Sequence, residues 1–419
     1  MAEPNRSVRA SNPQHGGLRL GDAISKSMRL LRDDGPRALA QRVARYAYTR
    51  LDAGALDESL FDSDIADSTK LDLKFPDVRP LRAEPLTIGW VTVPPSAGSG
   101  GHTTLFRMIE AVERAGHKCE LFLYDRYGGD MSAHEKVIRD WWPNVRAGVR
   151  DAADGIVGVN AAVASSWDTA HILARRGTSP MRRLYFIQDF EPFFYARGSM
   201  YSLAEDTYRF GFRSIALGEM VADLLRTEVG VSPDVTEFGC DTSVYRLLPD
   251  RKRAAVVLYA KPDVPRRGFW LARLALQQFH EKHPEIEIHL YGAVVKGLSF
   301  PAVQHGRLAP IELNELYNRS IAGLAMSFTN ISLVAEEMLA AGVTPVVNDS
   351  QNSRADLVND HVLWAVPTPN GIADALSAAV TRAEATEVAH RASASVRQFG
   401  WTRAQADVIR IIEDEVYGP

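Results

Sequence analysis

The chain has 419 residues, of which 46% are hydrophobic and 24% are charged, and its formal net charge is −4. This balance argues against a general nucleic-acid-binding protein, whose surface would be strongly basic. The only two cysteines, Cys119 and Cys240, exclude a disulfide framework and fit a reducing cytoplasm. A polar N-terminus, and the lack of an apolar run near the ~20 residues of a membrane span, predict a soluble protein of two or three domains.

Residues 1–84 are predicted to form an N-terminal extension and a linker. Within them, residues 25–50 combine arginines with apolar residues and predict a basic helix that is broken at its Gly-Pro pair. Such a helix either packs on the protein body or makes peripheral contact with an anionic membrane surface. The acidic linker contains Asp62-Ser63-Asp64, a DxD pattern. Because no strand adjoins it, we interpret this pattern as chance rather than as a metal site.

From residue 85 the sequence alternates between strand and helix patterns. The strand LTIGWVTVPP, the glycine-rich turn SAGSGGHTT, the helix LFRMIEAVERAGHK and the strand CELFLYD predict a β-loop-α-β unit of a parallel sheet. GIVGVNAAV, RLYFIQDF and SIALG predict further strands. A second series follows, with strands in AAVVLYAK, EIEIHLYG, AGLAMS and TPVVND, and with helices in FWLARLALQQFHEKH, IELNELYNRS and LVAEEMLAAG.

This repeated alternation predicts an α/β protein with two Rossmann-like domains in tandem. We place the first domain at residues 85–245, the second at 246–400, and a terminal helix that returns to the first domain at 401–419. Ligands are then expected in the cleft where the carboxyl ends of the two sheets face each other.

The glycine-rich turn also raises an alternative function. Gly98, Gly100 and Gly101 follow a strand, and Asp125 ends the next strand, as in a dinucleotide-binding unit. However, Thr103 occupies the third glycine position and no hydride-transfer site is recognisable, so an NAD-dependent oxidoreductase is the weaker interpretation. We interpret Gly100 and Gly101 as residues that let an anionic ligand approach the backbone at a helix N-terminus.

The second domain carries a cluster of cations. Lys261, Arg266 and Arg267 lie between a strand and a helix in LYAKPDVPRRGF. An arginine fork and a lysine point charge can bracket a pyrophosphate. The tight turn HGRLAP follows, and it could present backbone groups to a base. The predicted nucleoside-binding residues of this turn are Gly306, Arg307 and Leu308.

The segment SFTNISLVAEEMLAAGVTPVVND, residues 327–349, predicts a loop, a short helix and a buried strand. Ser332 is the expected N-cap, Leu333 the first helical residue and Gly342 the stop. The backbone N–H groups of Ser332, Leu333 and Val334 are predicted to bind a diphosphate.

Two adjacent glutamates follow on this helix. Glu337 shares a helix face with Leu333, and its ionised carboxylate can accept hydrogen bonds from both hydroxyls of a ribose. Glu336 points about 100° away, so only one of the two can face the ligand well. Glu337 is the predicted ribose ligand.

At this point the chain resembles a GT-B glycosyltransferase of the large retaining family 4. The segment EMLAAGVTPVV, residues 337–347, resembles the family motif E-A-M-A-x-G-x-P-V-V, with Glu337 in the place of the ribose-binding glutamate. The resemblance covers residues 86–400. It is closest to bacterial polysaccharide and S-layer rhamnosyltransferases in YFIQDFEPFFYARGSMYSLAEDTYRFGF and PRRGFWLARLALQQFHEKHPEIEIHLYG.

The resemblance implies a GT-B fold and sugar transfer that requires no metal and no other cofactor. Lys261 and Arg267 would contact the diphosphate, while Asp189 and Glu191 would approach the transferred sugar and the acceptor. The residues that match the family's glycine-rich loop are Gly100, Gly101 and His102. Thr329 stands where the family has the first glutamate of E-x7-E, and we assign it to the sugar together with Asn330.

We therefore expect a hexosyltransferase with dTDP-L-rhamnose as the leading donor, a UDP-hexose as the second, and a bacterial cell-surface glycan or lipid-linked acceptor. On a retaining path the departing phosphate takes the acceptor proton; an inverting path requires Asp189, Glu191 or His102 as general base.

The alternatives of another class are a non-catalytic nucleotide-sugar-binding partner and a nucleotide-sugar epimerase. The expected location is the cytoplasm, with peripheral contact at the inner face of the plasma membrane through residues 25–50. No nucleic-acid partner is expected.

Overall fold

The computed structural model describes residues 35–50, 58–331, 333–396 and 400–418. The chain divides into two compact units, Met1–Phe61 and Asp62–Pro419. The first unit contributes helix α1 (Gly35–Arg50), which begins at the Gly-Pro pair and exposes Val43 and Tyr46. Within the described ranges, no helix has both the length and the apolar character needed to cross a bilayer.

The second unit has two lobes, and the first lobe is built on a seven-stranded parallel sheet of order β3-β2-β1-β4-β5-β6-β7. Its strands are β1 (Thr87–Thr92), β2 (Lys118–Leu123), β3 (Gly148–Asp151), β4 (Ala161–Ala164), β5 (Arg182–Ile187), β6 (Arg213–Leu217) and β7 (Asp234–Thr236). Its helices are α2 (Gly100–Arg114), α3 (Met131–Trp141), α4 (Trp167–Arg176), α5 (Ser199–Asp206) and α6 (Glu219–Leu224).

The second lobe has a six-stranded parallel sheet of order β10-β9-β8-β11-β12-β13. Its strands are β8 (Ala255–Ala260), β9 (Glu287–Gly292), β10 (Val303–Gln304), β11 (Ser320–Leu324), β12 (Thr344–Asn348) and β13 (Leu363–Ala365). Its helices are α7 (Phe269–Lys282), α8 (Pro310–Arg319), α9 (Val334–Ala340), α10 (Gln351–Asp356), α11 (Pro369–Val380) and α12 (Ala385–Ala394).

The central strands are apolar throughout because helices cover both faces of a parallel sheet. In β1 every residue after Thr87 is buried, and β4 and β12 are buried along their whole length. The terminal helix α13 (Thr402–Tyr417) packs against the first lobe. Its buried residues Val408, Ile411 and Ile412 belong to that lobe's core.

Residues 62–84, which the sequence assigned to a linker, belong to the same compact unit as the two lobes. Asp64 of the DxD pattern is buried, and it accepts hydrogen bonds from Arg176 at 2.9 and 3.0 Å and from Tyr124 at 3.1 Å. Removing either partner of a buried ion pair leaves an uncompensated charge, so this contact holds the segment to the lobe. Asp64, the second aspartate of the DxD pattern, is therefore paired with Arg176.

Each sheet has one topological switch point, where the strand order reverses direction. It lies between β1 and β4 in the first sheet and between β8 and β11 in the second. In open α/β sheets, ligands bind in the crevice outside the carboxyl ends of the strands at this point. The glycine-rich turn follows β1, and the cations at 261–267 follow β8, so the fold places both candidate motifs at switch points.

Candidate active site

The glycine-rich turn leads directly into helix α2, whose first residue is Gly100 and whose N-cap is Ser99. A Cβ added at Gly100 would meet no atom within 4 Å, and one at Gly101 would meet only Gln188 Oε1 at 3.9 Å. The space in front of the helix N-terminus is therefore not filled by protein. This agrees with the room that an anionic ligand would need there.

His102 is held by contacts at both ring nitrogens. Nδ1 lies 2.9 Å from Ser99 Oγ, and Nε2 lies 3.1 Å from the carbonyl oxygen of Val93. Because a carbonyl only accepts hydrogen bonds, Nε2 carries the proton and Nδ1 accepts from the serine hydroxyl. Burial lowers the pKa of His102, which favours this neutral form. The geometry leaves no ring nitrogen free as a general base, and it gives His102 a role in holding the turn.

The three predicted cations differ in their surroundings. Lys261 is exposed, with its ammonium 5.4 Å from the ring centroid of Tyr259. The guanidinium of Arg266 stacks at 4.0 Å on the ring of Phe194, which belongs to the first lobe. Arg267 donates to Ser327 Oγ at 3.0 Å, in the loop that follows β11. The cations thus lie around the second switch point, and one of them also contacts the opposite lobe.

Asp189 joins the two lobes. It follows β5 of the first lobe and is buried, and its carboxylate accepts hydrogen bonds from Thr329 Oγ1 at 2.8 Å and from the backbone N–H of Asn330 at 3.3 Å. The side-chain amide of Asn330 donates to the Gln188 carbonyl at 2.6 Å, and Arg266 Nε lies 3.8 Å from Asp189. Thr329 and Asn330, predicted to bind sugar, here contact the first lobe, while Asn330 Oδ1 is buried without a partner in the described structure.

The helix after this loop begins one residue later than predicted. Helix α9 starts at Val334, with Leu333 at the N-cap position, and Gly342 ends it with a φ of +77°. The shift follows from the first helical hydrogen bond, which runs from the N–H of Glu337 to the carbonyl of Leu333 at 2.9 Å. Ser332, the predicted N-cap and diphosphate ligand, lies outside the described residues. Leu333 packs against the core of the first lobe.

Glu337 is partly buried among charges from both lobes. Burial raises the pKa of Glu337 to about 7, which the guanidinium of Arg107 opposes, whereas Asp241 and Glu336 raise it further. Arg107 lies 3.2 Å from Asp241, and these two residues also line a cavity of about 390 Å³. Open space therefore adjoins the charges that act on the predicted ribose ligand.

The predicted nucleoside-binding turn is partly engaged by the protein itself. Gly306 has a φ of +65°, and its carbonyl accepts a hydrogen bond from the N–H of Gly292 at 2.7 Å. Arg307 donates to the carbonyl of Ala97 at 3.3 Å, which connects this turn to the glycine-rich turn of the first lobe. Leu308 packs against the core of the second lobe.

Glu191 is buried behind the first switch point rather than free in the cleft. It accepts hydrogen bonds from the N–H of Trp167 at 2.5 Å and from the hydroxyl of Tyr185 at 2.9 Å. Burial is the main reason that the pKa of Glu191 rises to about 8, and the nearby Asp168 raises it further. Asp168 was not among the predicted site residues. The helix-start pattern SSWDT after β4 could have indicated its position at the carboxyl end of a strand.

Comparisons with known proteins identify related domains in both lobes. Residues 161–220 match the family described as WsaF, N-terminal domain, and residues 254–377 match WsaF, C-terminal domain. The chain is also 30% identical over 339 residues to the O-antigen biosynthesis protein RfbC of Myxococcus xanthus, which covers 75% of this chain. The chain spans only about a quarter (26%) of that relative's length.

Solved structures give the fold. A TarM mutant of S. aureus, in complex with fondaparinux, alpha-GlcNAc-glycerol and UDP, superposes with a TM-score of 0.63 at 8% identity, over 78% of this chain and 100% of its own. Anabaena HepE in complex with UDP-glucose superposes with a TM-score of 0.59 at 13% identity, over 78% and 98% of the two chains. The fold is GT-B. The predicted fold class is thereby confirmed.

Proposed function

We propose that this chain transfers a sugar from a nucleoside diphosphate donor to a bacterial cell-surface glycan or lipid-linked acceptor, as a hexosyltransferase of the family 4 type. The observation that carries the proposal is the meeting of two switch points across the lobes. Cations follow β8 on one side, and the open N-terminus of α2 and the carboxylates at 168–191 lie on the other. We assign the donor to the second lobe and the acceptor to the first.

The donor side supplies charge that matches a leaving diphosphate. Lys261, Arg266 and Arg267, with the N–H groups of Leu333 and Val334, would stabilise the negative charge that grows on the departing group. Preorganised cations of this kind can serve without a divalent metal. Glu337 would hold the ribose and the turn at 306–308 the base, while Thr329 and Asn330 would reach the sugar once their contacts with the first lobe are exchanged for substrate.

The leading donor is dTDP-L-rhamnose, and we propose a retaining reaction in which the departing phosphate takes the acceptor proton. The WsaF domains belong to a rhamnosyltransferase family, and the relative RfbC is named for O-antigen biosynthesis, which supports a polysaccharide acceptor. The HepE and TarM structures hold UDP-glucose and UDP, and a UDP-hexose is therefore the second candidate donor.

The test is acceptor-dependent release of the nucleoside diphosphate. Purified full chain is incubated with dTDP-L-rhamnose, UDP-galactose or UDP-GlcNAc, with and without a lipid-linked glycan extract. Release that requires the extract supports a transferase, isomerisation of the donor an epimerase, and binding without turnover a non-catalytic module. NMR of the product's anomeric centre then decides the stereochemistry, since an inverted linkage would reject the retaining assignment.

We also propose peripheral membrane contact through the arginine-rich segment that includes α1. Exposed Val43 and Tyr46 provide apolar surface, and the segment's arginines would favour anionic lipid. Flotation with phosphatidylglycerol vesicles, but not with phosphatidylcholine vesicles, is the expected result at low salt. Equal recovery with both lipids would reject the electrostatic contact.

A further inference from the structure

Asp168 occupies a position where a substrate is expected. It is the second residue of α4, which follows β4, and β4 adjoins β1 at the switch point of the first sheet. The glycine-rich turn after β1 borders the same crevice. A side chain at the carboxyl end of a central strand beside a switch point lies where α/β folds bind ligands.

The carboxylate of Asp168 is oriented by one of its oxygens only. Oδ1 accepts hydrogen bonds from the hydroxyl of Ser166 and from the N–H of Thr169, the latter at 2.8 Å. Within the described part of the chain, Oδ2 accepts no hydrogen bond from another residue, and Asp168 is only partly buried. One oxygen thus fixes the rotamer while the other remains able to accept a hydrogen bond.

The turn that presents Asp168 is supported from behind by Glu191. Its carboxyl group accepts the N–H of Trp167 at 2.5 Å and the Tyr185 hydroxyl at 2.9 Å, while its own N–H donates to the Tyr208 hydroxyl at 3.0 Å. With a pKa raised to about 8 by burial, Glu191 is mostly protonated at pH 7. An uncharged Glu191 places no second negative charge beside Asp168, whose own pKa is raised by burial against the opposing hydrogen bonds from Ser166 and Thr169.

Two aromatic residues connect this turn to the donor side. Trp167 Nε1 donates to the hydroxyl of Tyr195 at 3.1 Å. Tyr195 directly follows Phe194, whose ring carries the guanidinium of Arg266 at 4.0 Å. Asp168 is therefore held in a fixed relation to a cation that we assign to the diphosphate. The acceptor hydroxyl must be held at a fixed position relative to the leaving diphosphate, because the sugar passes from the diphosphate to the acceptor oxygen.

We propose that Asp168 Oδ2 binds a hydroxyl group of the acceptor sugar, and that Glu191 is the positioning residue of the turn that presents Asp168. This inference rests on the proposed transferase function. In the reaction the acceptor oxygen forms a bond to the anomeric carbon, the bond from that carbon to the phosphate oxygen breaks with its electron pair, and the acceptor proton goes to the departing diphosphate. Because Asp168 and Asp189 are both acidic, the acceptor's terminal sugar is expected to be neutral rather than a uronic acid.

Saturation-transfer NMR on the full chain tests the binding step without turnover. The probes are dTDP, UDP, and octyl glycosides of rhamnose, glucose and N-acetylglucosamine. We expect at least one glycoside to bind the wild type, its dissociation constant to rise about tenfold in Asp168→Asn (about 1.4 kcal/mol), and dTDP binding to be unchanged. The matched control is Asp140→Asn, which makes the same change in an exposed pair with Lys136. Unchanged glycoside binding in Asp168→Asn, or no glycoside binding by the wild type, would overturn the inference. Failure of the wild type to bind either dTDP or UDP would refute the proposed function instead.

The role of Glu191 is tested by a conservative and a disruptive variant. Glu191→Gln retains an oxygen that can accept from Trp167 and Tyr185, so glycoside binding should stay within about threefold of wild type. Glu191→Ala removes that oxygen and should weaken glycoside binding about tenfold, with the acceptor KM affected and the donor KM unchanged. If Glu191→Gln is as impaired as Glu191→Ala, the carboxyl group itself is required and the positioning role is wrong.

Discussion

The pH dependence of nucleotide binding provides a direct test of the donor site. Burial raises the pKa of Glu337 to about 7, so this carboxyl group changes charge near neutral pH. Only the ionised form can accept hydrogen bonds from both ribose hydroxyls without donating one. Because that form is populated above the pKa, binding of a nucleoside diphosphate should strengthen as the pH rises through 7. Glu337→Gln cannot ionise and should lose this dependence.

The magnitude follows from the ionised fraction. For a pKa of about 7, about a tenth of the Glu337 carboxyl groups are ionised at pH 6 and about nine-tenths at pH 8. If only the ionised form holds the ribose well, the dissociation constant of dTDP falls about tenfold across this range, equivalent to about 1.4 kcal/mol. The terminal phosphate of dTDP also titrates near pH 6, as phosphate esters do, and this contribution is common to every variant.

The assay is isothermal titration calorimetry with dTDP at pH 6, 7 and 8. Wild type, Glu337→Gln and the neighbouring control Glu336→Gln are compared, so that the ligand's own titration cancels. We expect a pH slope in the wild type and in Glu336→Gln that is reduced in Glu337→Gln. The same slope in all three proteins, or a loss of slope only in Glu336→Gln, would mean that Glu337 does not hold the ribose.

Three further predictions concern the lobes. Gly100→Val should leave the urea unfolding midpoint unchanged, because a Cβ at this position meets no atom within 4 Å, but it should weaken dTDP binding at least tenfold. Weaker folding with normal binding would contradict this. Thr329→Val should lower the free energy of unfolding by about 1 to 3 kcal/mol, and the loss should be smaller in the Asp189→Asn background, where additive losses would exclude the contact across the lobes. Because burial raises the pKa of Glu191 to about 8, its protonated form stabilises the fold below pH 5, and this stability is lost as the pH rises towards 8. Glu191→Gln should remove about 2 to 3 kcal/mol of the decline in unfolding free energy between pH 5 and pH 7. An unchanged decline would reject the buried, protonated state.

The sequence predicted the central strands better than the edge strands. β12, for example, is five consecutive buried residues, and such a run is recognisable from composition alone. The edge strand β3 has no buried residue, and the edge strands β7 and β13 are only three residues long, so their pattern carries little signal. Their strand conformation comes from pairing with β2, β6 and β12.

The site residues also differ in whether the local sequence was enough to predict them. The cations after β8 and the glutamates of α9 lie within short motifs, and the local sequence was enough to place them on their elements. The contact of Asp189 with Thr329 spans 140 positions along the chain, and it depends on how two lobes meet. Asp168 was missed for a similar reason, since its importance follows from the neighbours of β4 in the sheet order. His102 was assigned chemistry from its type, but the carbonyl of Val93 decides which of its nitrogens carries the proton.

The return of helix α13 to the first lobe determines how the protein can be divided. Val408, Ile411, Ile412 and Val416 are buried in that lobe's core, although all the helices and strands of the other lobe, from Ala255 to Ala394, precede them in the chain. A fragment that stops at residue 245 would expose the apolar surface that these side chains cover, and it is expected to aggregate. An independent first lobe would have to carry α13 on a short artificial connection that starts soon after β7, because Cys240 and Tyr245 belong to the core of the second lobe. The second lobe is a continuous insertion that can be excised by two cuts.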